Sequence, residues 1–342
     1  MTMPKIPRLP LVLVALSSAI ALLPGIAQAA VSCSATASPV NFGTIDPQQP
    51  GNSPATGSIS FTCQNDALLQ TAFVTLCLNI GAGSGTGTTP RRMNDGVGHT
   101  LDFQLYSDPA RSQIWGSVLT PATPNPQVLQ FQIPGPFLFV PGSYSDSVPV
   151  YGQVPGNQTG VVAGGYNNMF SGTSAQITLD HNDAFLGIGG SYPTSCGTGN
   201  ASSFSFVANA TVQPTCTVSA TDVSFGSQPA MATNLQATGT IGVRCINGTA
   251  YNIGLAPSNG NAYGAGVMSG TGANTDTVPY QLHQTSSTGP VWGNTATATS
   301  VGNGVHGSGN GTTQPYTVHV VVPDANHIPD TYEDTVTVYV NY

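Results

Sequence analysis

The second part of this chain replays the first, and that internal repeat narrows its possible folds more than any other feature. Cys33 is followed nine residues later by Phe42-Gly43, and Cys216 is followed nine residues later by Phe225-Gly226. Ala55-Thr56-Gly57-Ser58-Ile59-Ser60-Phe61-Thr62-Cys63 returns as Ala237-Thr238-Gly239-Thr240-Ile241-Gly242-Val243-Arg244-Cys245. Leu105 stands ten residues before Trp115-Gly116, as Leu282 stands ten before Trp292-Gly293. Val154-Pro155 and Tyr166 find weaker echoes in Val322-Pro323 and Tyr332. Landmarks kept in one order predict two homologous domains, over 30–212 and 213–342, with the boundary near Gln213-Pro214.

Each landmark lies in a run of alternating polarity bounded by Gly, Pro, Asn or Asp, the pattern of a half-buried strand. Ser58 to Cys63 alternates at period two, and so does Thr335 to Val340. Long segments of helical period with capping residues are absent. The fold class expected is all-β, with two immunoglobulin-like antiparallel β-sandwich domains; a β-barrel is the competing architecture. So much Gly, Ser, Thr, Asn and Pro would also suit a disordered chain, but 39% hydrophobic residues in short alternating runs favour a packed core.

Residues 1–29 read as an export signal, with Lys5 and Arg8 at the start, an apolar stretch from Leu11 to Leu23 and a small-residue cleavage site at Ala27-Gln28-Ala29. An uncleaved anchor is the alternative. Removing Lys5 and Arg8 from the six cations leaves Arg91, Arg92, Arg111 and Arg244 against 14 acidic residues, a formal balance of −10 without any lysine. Such a surface cannot neutralise a phosphate backbone, so nucleic acid and anionic lipid are excluded as electrostatic partners.

The exported chain carries six cysteines, an even number that predicts three disulfides in an oxidising compartment. Cys216 and Cys245 have no other partner in the second domain. By analogy Cys33 pairs with Cys63, and Cys77 is left for Cys196. None belongs to a CxxC pair, so a zinc ribbon or a thioredoxin-type redox site is not expected.

Taken together, the Cys before Phe-Gly, the Ala-Thr-Gly-x-Ile-x-x-x-Cys segment, Leu-x9-Trp-Gly, the Val-Pro turn and the alternating strand ending at Tyr342 resemble the spore coat U domain. That domain is the pilin module of archaic, Csu-type chaperone–usher pili. The likeness covers nearly all of the second domain and, less tightly, Ser32 to Leu179 of the first, which departs by an extra cysteine pair and the residues from Asp180 to Val212. The resemblance implies a two-domain tip adhesin subunit whose first domain binds and whose second is the pilin. It also implies export through the periplasm to the cell surface, a place at the distal end of the pilus (fimbrium), and a role in attachment and biofilm formation. The partners implied are a periplasmic pilus chaperone, an outer-membrane usher and an adjacent pilin subunit that donates a strand to the C-terminal domain.

Pilins of this kind are incomplete sandwiches filled by the N-terminal extension of a neighbour. Only Ala30, Val31 and Ser32 would precede Cys33 in the mature chain, too few to donate a strand. At the other end Val336, Val338, Val340 and Tyr342 share one face of the last strand, and these four are the expected chaperone and donor-strand contacts. A complete sandwich that ends on this strand is the alternative. The first domain differs, because Ser203 to Val212 supplies a strand with which it can close itself.

The sequence holds no HExxH or GxSxG and a single glutamate, Glu333; its six histidines are scattered, and His181-Asn182-Asp183 reads as a polar turn. No catalytic residue, metal or cofactor is therefore expected. Two segments are apolar where loops are usually polar. One runs through Phe137, Leu138, Phe139 and Val140 between Pro-Gly elements, and the other holds Phe185, Leu186 and Ile188. They are either two-sided buried strands or an exposed patch that binds an abiotic or other apolar surface. A lectin-like tip using Trp115 and Tyr151 is the second functional reading, and a structural pilin or coat subunit without ligand is the third.

Overall fold

The structure, a computed structural model, describes residue 2, residues 31–136, residue 140 and residues 142–342. Of the positions singled out above, the export signal and Phe137, Leu138 and Phe139 lie outside these residues.

The first unit comprises β1 (Val31–Ala37), β2 (Val40–Ile45), β3 (Ser53–Asn65), β4 (Gln70–Ile80), β5 (Arg91–Asn94), β6 (Thr100–Tyr106), β7 (Gln127–Ile133), β8 (Gly142–Val154), β9 (Gly164–Phe170), β10 (Ala175–Phe185), β11 (Asn200–Ser203) and β12 (Phe206–Val212). The second comprises β13 (Cys216–Ala220), β14 (Thr233–Cys245), β15 (Ala250–Ala256), β16 (Ala265–Gly270), β17 (Thr277–His283), β18 (Val305–Ser308), β19 (Gln314–Asp324), β20 (Tyr332–Glu333) and β21 (Thr337–Asn341). Each unit packs two sheets face to face. In the first, an eight-stranded sheet ordered β1-β3-β8-β6-β5-β9-β12-β2 faces the four strands β11-β10-β4-β7. In the second, β13-β14-β19-β17-β16-β20 faces β18-β15-β21. The expected all-β sandwich architecture is present, and the strand pairs are antiparallel except for β12 on β2.

Alternation decides which side chains are inside. Along β3 every second residue from Ala55 to Cys63 faces the core, and β14 does the same from Ile241 to Cys245. One core gathers around Trp115, Phe103 and Phe170, the other around Trp292, Tyr251 and Leu282. All three expected disulfides are made: Cys33–Cys63, Cys77–Cys196 and Cys216–Cys245. Cys33 and Cys216 stand directly opposite Cys63 and Cys245 in the β1–β3 and β13–β14 ladders.

The repeated Trp-Gly landmark also acquires a physical reason. Trp115 Nε1 donates to the carbonyl of Leu78 at 2.8 Å, and Trp292 Nε1 donates to that of Ile253 at 3.0 Å. In both units the indole is buried and its one polar atom is bonded to the facing sheet, so the landmark locks the two layers together. Burial of Trp115 removes it from any glycan surface. Tyr151 sits beneath Arg111, whose guanidinium carbon is 5.9 Å from the ring centroid.

Two details differ from the sequence reading. His181-Asn182-Asp183 is not a turn but part of β10, held in register opposite Val74, Phe73 and Ala72 of β4. The segment that closes the first unit is split, with β11 pairing with β10 while β12 inserts between β9 and β2.

Candidate functional site

Three segments meet at one end of the first sandwich: Asp66–Leu69 between β3 and β4, Pro134–Pro136 following β7, and the excursion that follows β10 at Phe185. Asn65, fully buried, ties two of them together. Its Nδ2 donates to the carbonyls of Gln70 (2.9 Å) and Ile133 (3.1 Å), while its Oδ1 accepts from the amide of Ala67 (2.9 Å). Gly135 makes the close approach possible, since a Cβ there would lie 2.7 Å from the Ala67 carbonyl oxygen. The third segment joins through the amide of Leu186, which donates to the carbonyl of Leu69 at 2.8 Å.

The apolar side chains of these turns face solvent. Leu68 is 71% exposed, Phe185 61% and Ile188 78%, with Leu69, Leu186 and Val140 also more than half exposed. Val140, Phe185, Leu186 and Ile188 are therefore exposed rather than buried on both sides. Leu68 and Leu69 were missed; the only sequence signal was a Leu pair in a short turn between two strands. Leu69 and Leu186 moreover hold left-handed backbone, with φ of 61° and 48°, a costly conformation for a bulky residue. The hydrogen bond between these two leucines fixes the two turns to each other.

The extra disulfide fastens the third segment. Cys77 in β4 holds Cys196, and the carbonyl of Pro193 accepts from Thr75 Oγ1 at 2.7 Å, so the excursion carrying Ile188 is fastened to an inner strand of its sheet. Phe73 and Tyr192 pack edge to face beneath it, where a Cβ at Gly190 would overlap the Phe73 ring.

A second open feature lies in the other unit. Val223, Phe225, Ile241, Leu282, Tyr332 and Val336 are among the walls of a groove of about 590 Å³. Comparison of the repeats explains it. In the first unit β12 runs between β2 and β9, turning Phe206, Ala208, Ala210 and Val212 into the core. In the second unit the segment equivalent to β2 around Phe225 and the edge strand β20 at Tyr332 have no strand between them among the described residues. Val336 and Val338 line the groove, and Val340 packs against the same core opposite Ile253 of β15. Tyr342 is about half exposed and takes no part in the lining. Tyr280 donates to Asp334 at 2.5 Å at the rim; burial first, then this bond and the carboxylate charge, push the phenol's pKa well above its usual range.

The profile of the Spore Coat Protein U domain matches residues 19–173 and 202–339. The chain belongs to this family. Among curated proteins no relative matches. Among solved structures, the spore coat U chain is similar to the CsuC–CsuE chaperone–tip adhesion subunit pre-assembly complex from archaic chaperone–usher Csu pili of Acinetobacter baumannii. The identity is 16% and the TM-score 0.47, over 92% of this chain and 100% of that one. The CupB6 tip adhesin from Pseudomonas aeruginosa is similar at 10% identity and TM-score 0.31, over 91% of this chain and 95% of that one. The CfaE adhesive subunit of CFA/I fimbria from enterotoxigenic Escherichia coli follows at 9% and 0.30, over 88% and 92%.

The two matched segments of the spore coat U family model correspond to the two sequence repeats, and the groove occupies the second. Among the described residues, no group of three or more His, Cys, Asp or Glu side chains is placed to hold a metal ion.

Proposed function

We propose that this chain is a pilus tip adhesin that attaches cells to apolar surfaces and so supports biofilm formation. The first unit grips through its apolar turns, and the second joins the fibre by accepting a strand. The observation that carries the reading is the cluster of exposed Leu68, Leu69, Phe185, Leu186 and Ile188 on strained, cross-bonded turns. An apolar patch of this kind on a chain almost without cations suits a surface that offers apolar area and no fixed charge. Each large side chain removed from water contributes roughly 1.5–3 kcal/mol, and the pre-formed turns reduce the ordering cost. Many fibres acting together turn weak single contacts into firm attachment.

The groove supports the second half of the reading. β12 supplies, within the same chain, a picture of the strand that would fill it: alternating, with small and large apolar residues inward, parallel to one wall and antiparallel to the other. Before assembly a periplasmic chaperone covers the groove against β21, at the outer-membrane usher an adjacent pilin subunit replaces it, and Val336, Val338, Val340 and Tyr342 lie at or beside these contacts.

The test is to replace Phe185, Leu186 and Ile188 with Ser, and Leu68 and Leu69 in a second strain, then count assembled fibres and cells attached to plastic together. Normal fibres with attachment lowered at least tenfold are expected. Loss of fibres with attachment would make these residues structural, and unchanged attachment would place the grip elsewhere.

A further inference from the structure

The outer face of the large sheet in the first unit carries a feature that the apolar turns do not account for. Asn41 of β2 stands in register with Asn209 of β12, Asn209 with Asn167 of β9, and Asn167 with Asn94 of β5. Four adjacent strands thus place four asparagines in one row, which Thr100 of β6 extends by one more strand. Neighbouring strands are about 4.8 Å apart, so the row is an evenly spaced line of amides some 14 Å long.

The fold itself gives no reason for it. Asparagine is disfavoured in strands, and any polar residue would satisfy an outward position. In the second repeat the positions corresponding to Asn41 and Asn167 are Ser224 and Glu333, so the shared scaffold works without these amides. Asn41 uses its Oδ1 to accept from the amide of Gly43 at 2.8 Å. Asn94, Asn167 and Asn209 make no side-chain hydrogen bond among the described residues, and the Oδ1 of Asn209 is covered without a partner. Three of the four amides are therefore not used in holding the protein together.

The surroundings say what they would hold. Asn41, Asn167 and Asn209 line a shallow trough whose other walls include Thr44, Thr211 and Gly165. On the opposite side of the row, the pair Met169 and Val207 forms an apolar border. The charges beside the row are paired: Arg92 closes on Asp102 at 3.0 Å, and Asp95, which follows Asn94, closes on His99 at 2.6 Å. A site that is uncharged, rich in groups that both donate and accept, and edged by a strip of aliphatic surface complements a molecule built the same way. Sugar rings have hydroxyl rims and C–H faces, and a hydroxyl can both give to and take from a single amide. Charge complementarity excludes an anionic or cationic polymer as the preferred ligand.

We propose that the row Asn41–Asn209–Asn167–Asn94 is a binding site for a neutral polysaccharide lying across the strands. It gives the first unit a side-on grip on a hydrated matrix, separate from the end-on apolar grip of its turns.

The experiment uses the full chain in affinity electrophoresis and pull-down against cellulose, chitin and dextran, with alginate as the anionic control. Retention by at least one neutral polymer is expected, undiminished by salt. Asn94→Val with Asn167→Val, which removes amides while keeping strong strand formers, is expected to lower retention at least tenfold without moving the melting midpoint. Phe185→Ser with Leu186→Ser is expected to leave it unchanged, which separates this site from the apolar turns. If the valine pair aggregates, Asn94→Ser with Asn167→Ser carries the same expectation. Retention by none of the neutral polymers, retention by alginate alone, or equal retention by a folded variant would overturn the proposal.

Discussion

Arg244 of the second unit donates from Nη2 to the main-chain carbonyl of Gln48 in the first at 2.6 Å, and Gln48 returns a bond from its Nε2 to the carbonyl of Cys245 at 3.2 Å. Around this exchange Asn247 donates to the carbonyl of Gly160, and Arg244 Nε donates to Gly311, whose backbone packs against Thr159. Ile246 goes further and buries its side chain in the core of the first unit. The junction lies at the Ser53 end of β3, whereas the apolar turns lie at its Asn65 end, roughly 40 Å away for a strand of this length. A load applied at the turns therefore reaches the second unit through interlocked backbone rather than through a free linker.

That geometry predicts the behaviour of variants at the junction. Arg244→Ala removes two charge-assisted bonds, each worth about 1.5–3 kcal/mol when well shielded and less at this half-buried position. Faster hydrogen exchange at the amides of 48–52 and 309–311 is expected, with both cores unchanged. Exchange identical to the parent chain would show that the contact does not restrain the junction.

The fragment 30–212 has its own closing strand and is expected to fold alone with two disulfides. It lacks Ile246, whose full burial is worth roughly 1.5–3 kcal/mol, so it should melt below the first transition of the full chain. A fragment that folds only when given a separate strand peptide would show that β12 does not complete the sandwich.

Arg91 is a fully buried cation with no carboxylate beside it among the described residues. It donates to the carbonyls of Gly81 (2.8 Å), Ile80 (2.8 Å) and Trp115 (2.6 Å) and to the side chain of Gln104. Burial pulls its pKa down to about 10, which leaves it charged at neutral pH. Arg91→Met would leave three buried carbonyls without a donor, at about 1–3 kcal/mol each. A loss of at least about 3 kcal/mol in urea unfolding is expected, and Arg91→Lys, which cannot reproduce the fork, should recover only part of it.

Cys77–Cys196 closes a loop of 119 residues, for which the chain-entropy model gives about 4–5 kcal/mol. Replacing both with Ser should lower the melting midpoint of the first unit and weaken attachment, because the excursion carrying Ile188 loses its anchor to β4. Full attachment with a lowered midpoint would limit the bond to a stabilising role.

Acid should loosen the groove rim before the cores. The Thr271 hydroxyl first, then the Asn274 amide and the backbone of Thr331, hold the Asp330 carboxyl at about 2, below its ordinary 3.8. A carboxylate depressed in the folded state stabilises it fully above the unfolded value and loses that contribution as pH falls through the folded one. The window therefore runs from about pH 4 down to about pH 2. Asp330→Asn should reduce the pH dependence of the Tyr332 environment over that window, leaving the part set by Asp276, which accepts from the Tyr332 hydroxyl at 3.4 Å and whose pKa is also lowered; tyrosine resonances follow it, and a titration identical to the parent would reject the assignment.

What the sequence determined by itself is whatever a local pattern encodes. Alternating polarity named the strands, the repeat named the shared architecture, and the cysteine positions named two pairings, because these recur at the same place in two copies of one frame, and left Cys77 for Cys196 by elimination. The strand that closes the first unit was legible for the same reason, as an addition after the repeat stops. Tertiary structure alone decided which turns meet. Leu68 and Phe185 are far apart in the chain and come together only because Phe185 falls opposite Gln70 in the β10–β4 register. An apolar run reads alike whether it is buried on both sides or exposed on a turn, so the exposure of Phe185 and Ile188 had to await the backbone path. The asparagine row was invisible for a related reason: its members lie on four strands, and a row across a sheet exists only once hydrogen bonding has set every register. Arg91 is the sharpest case, since its burial depends on three carbonyls from two separate segments, Ile80-Gly81 and Trp115, converging where no sequence pattern marks them.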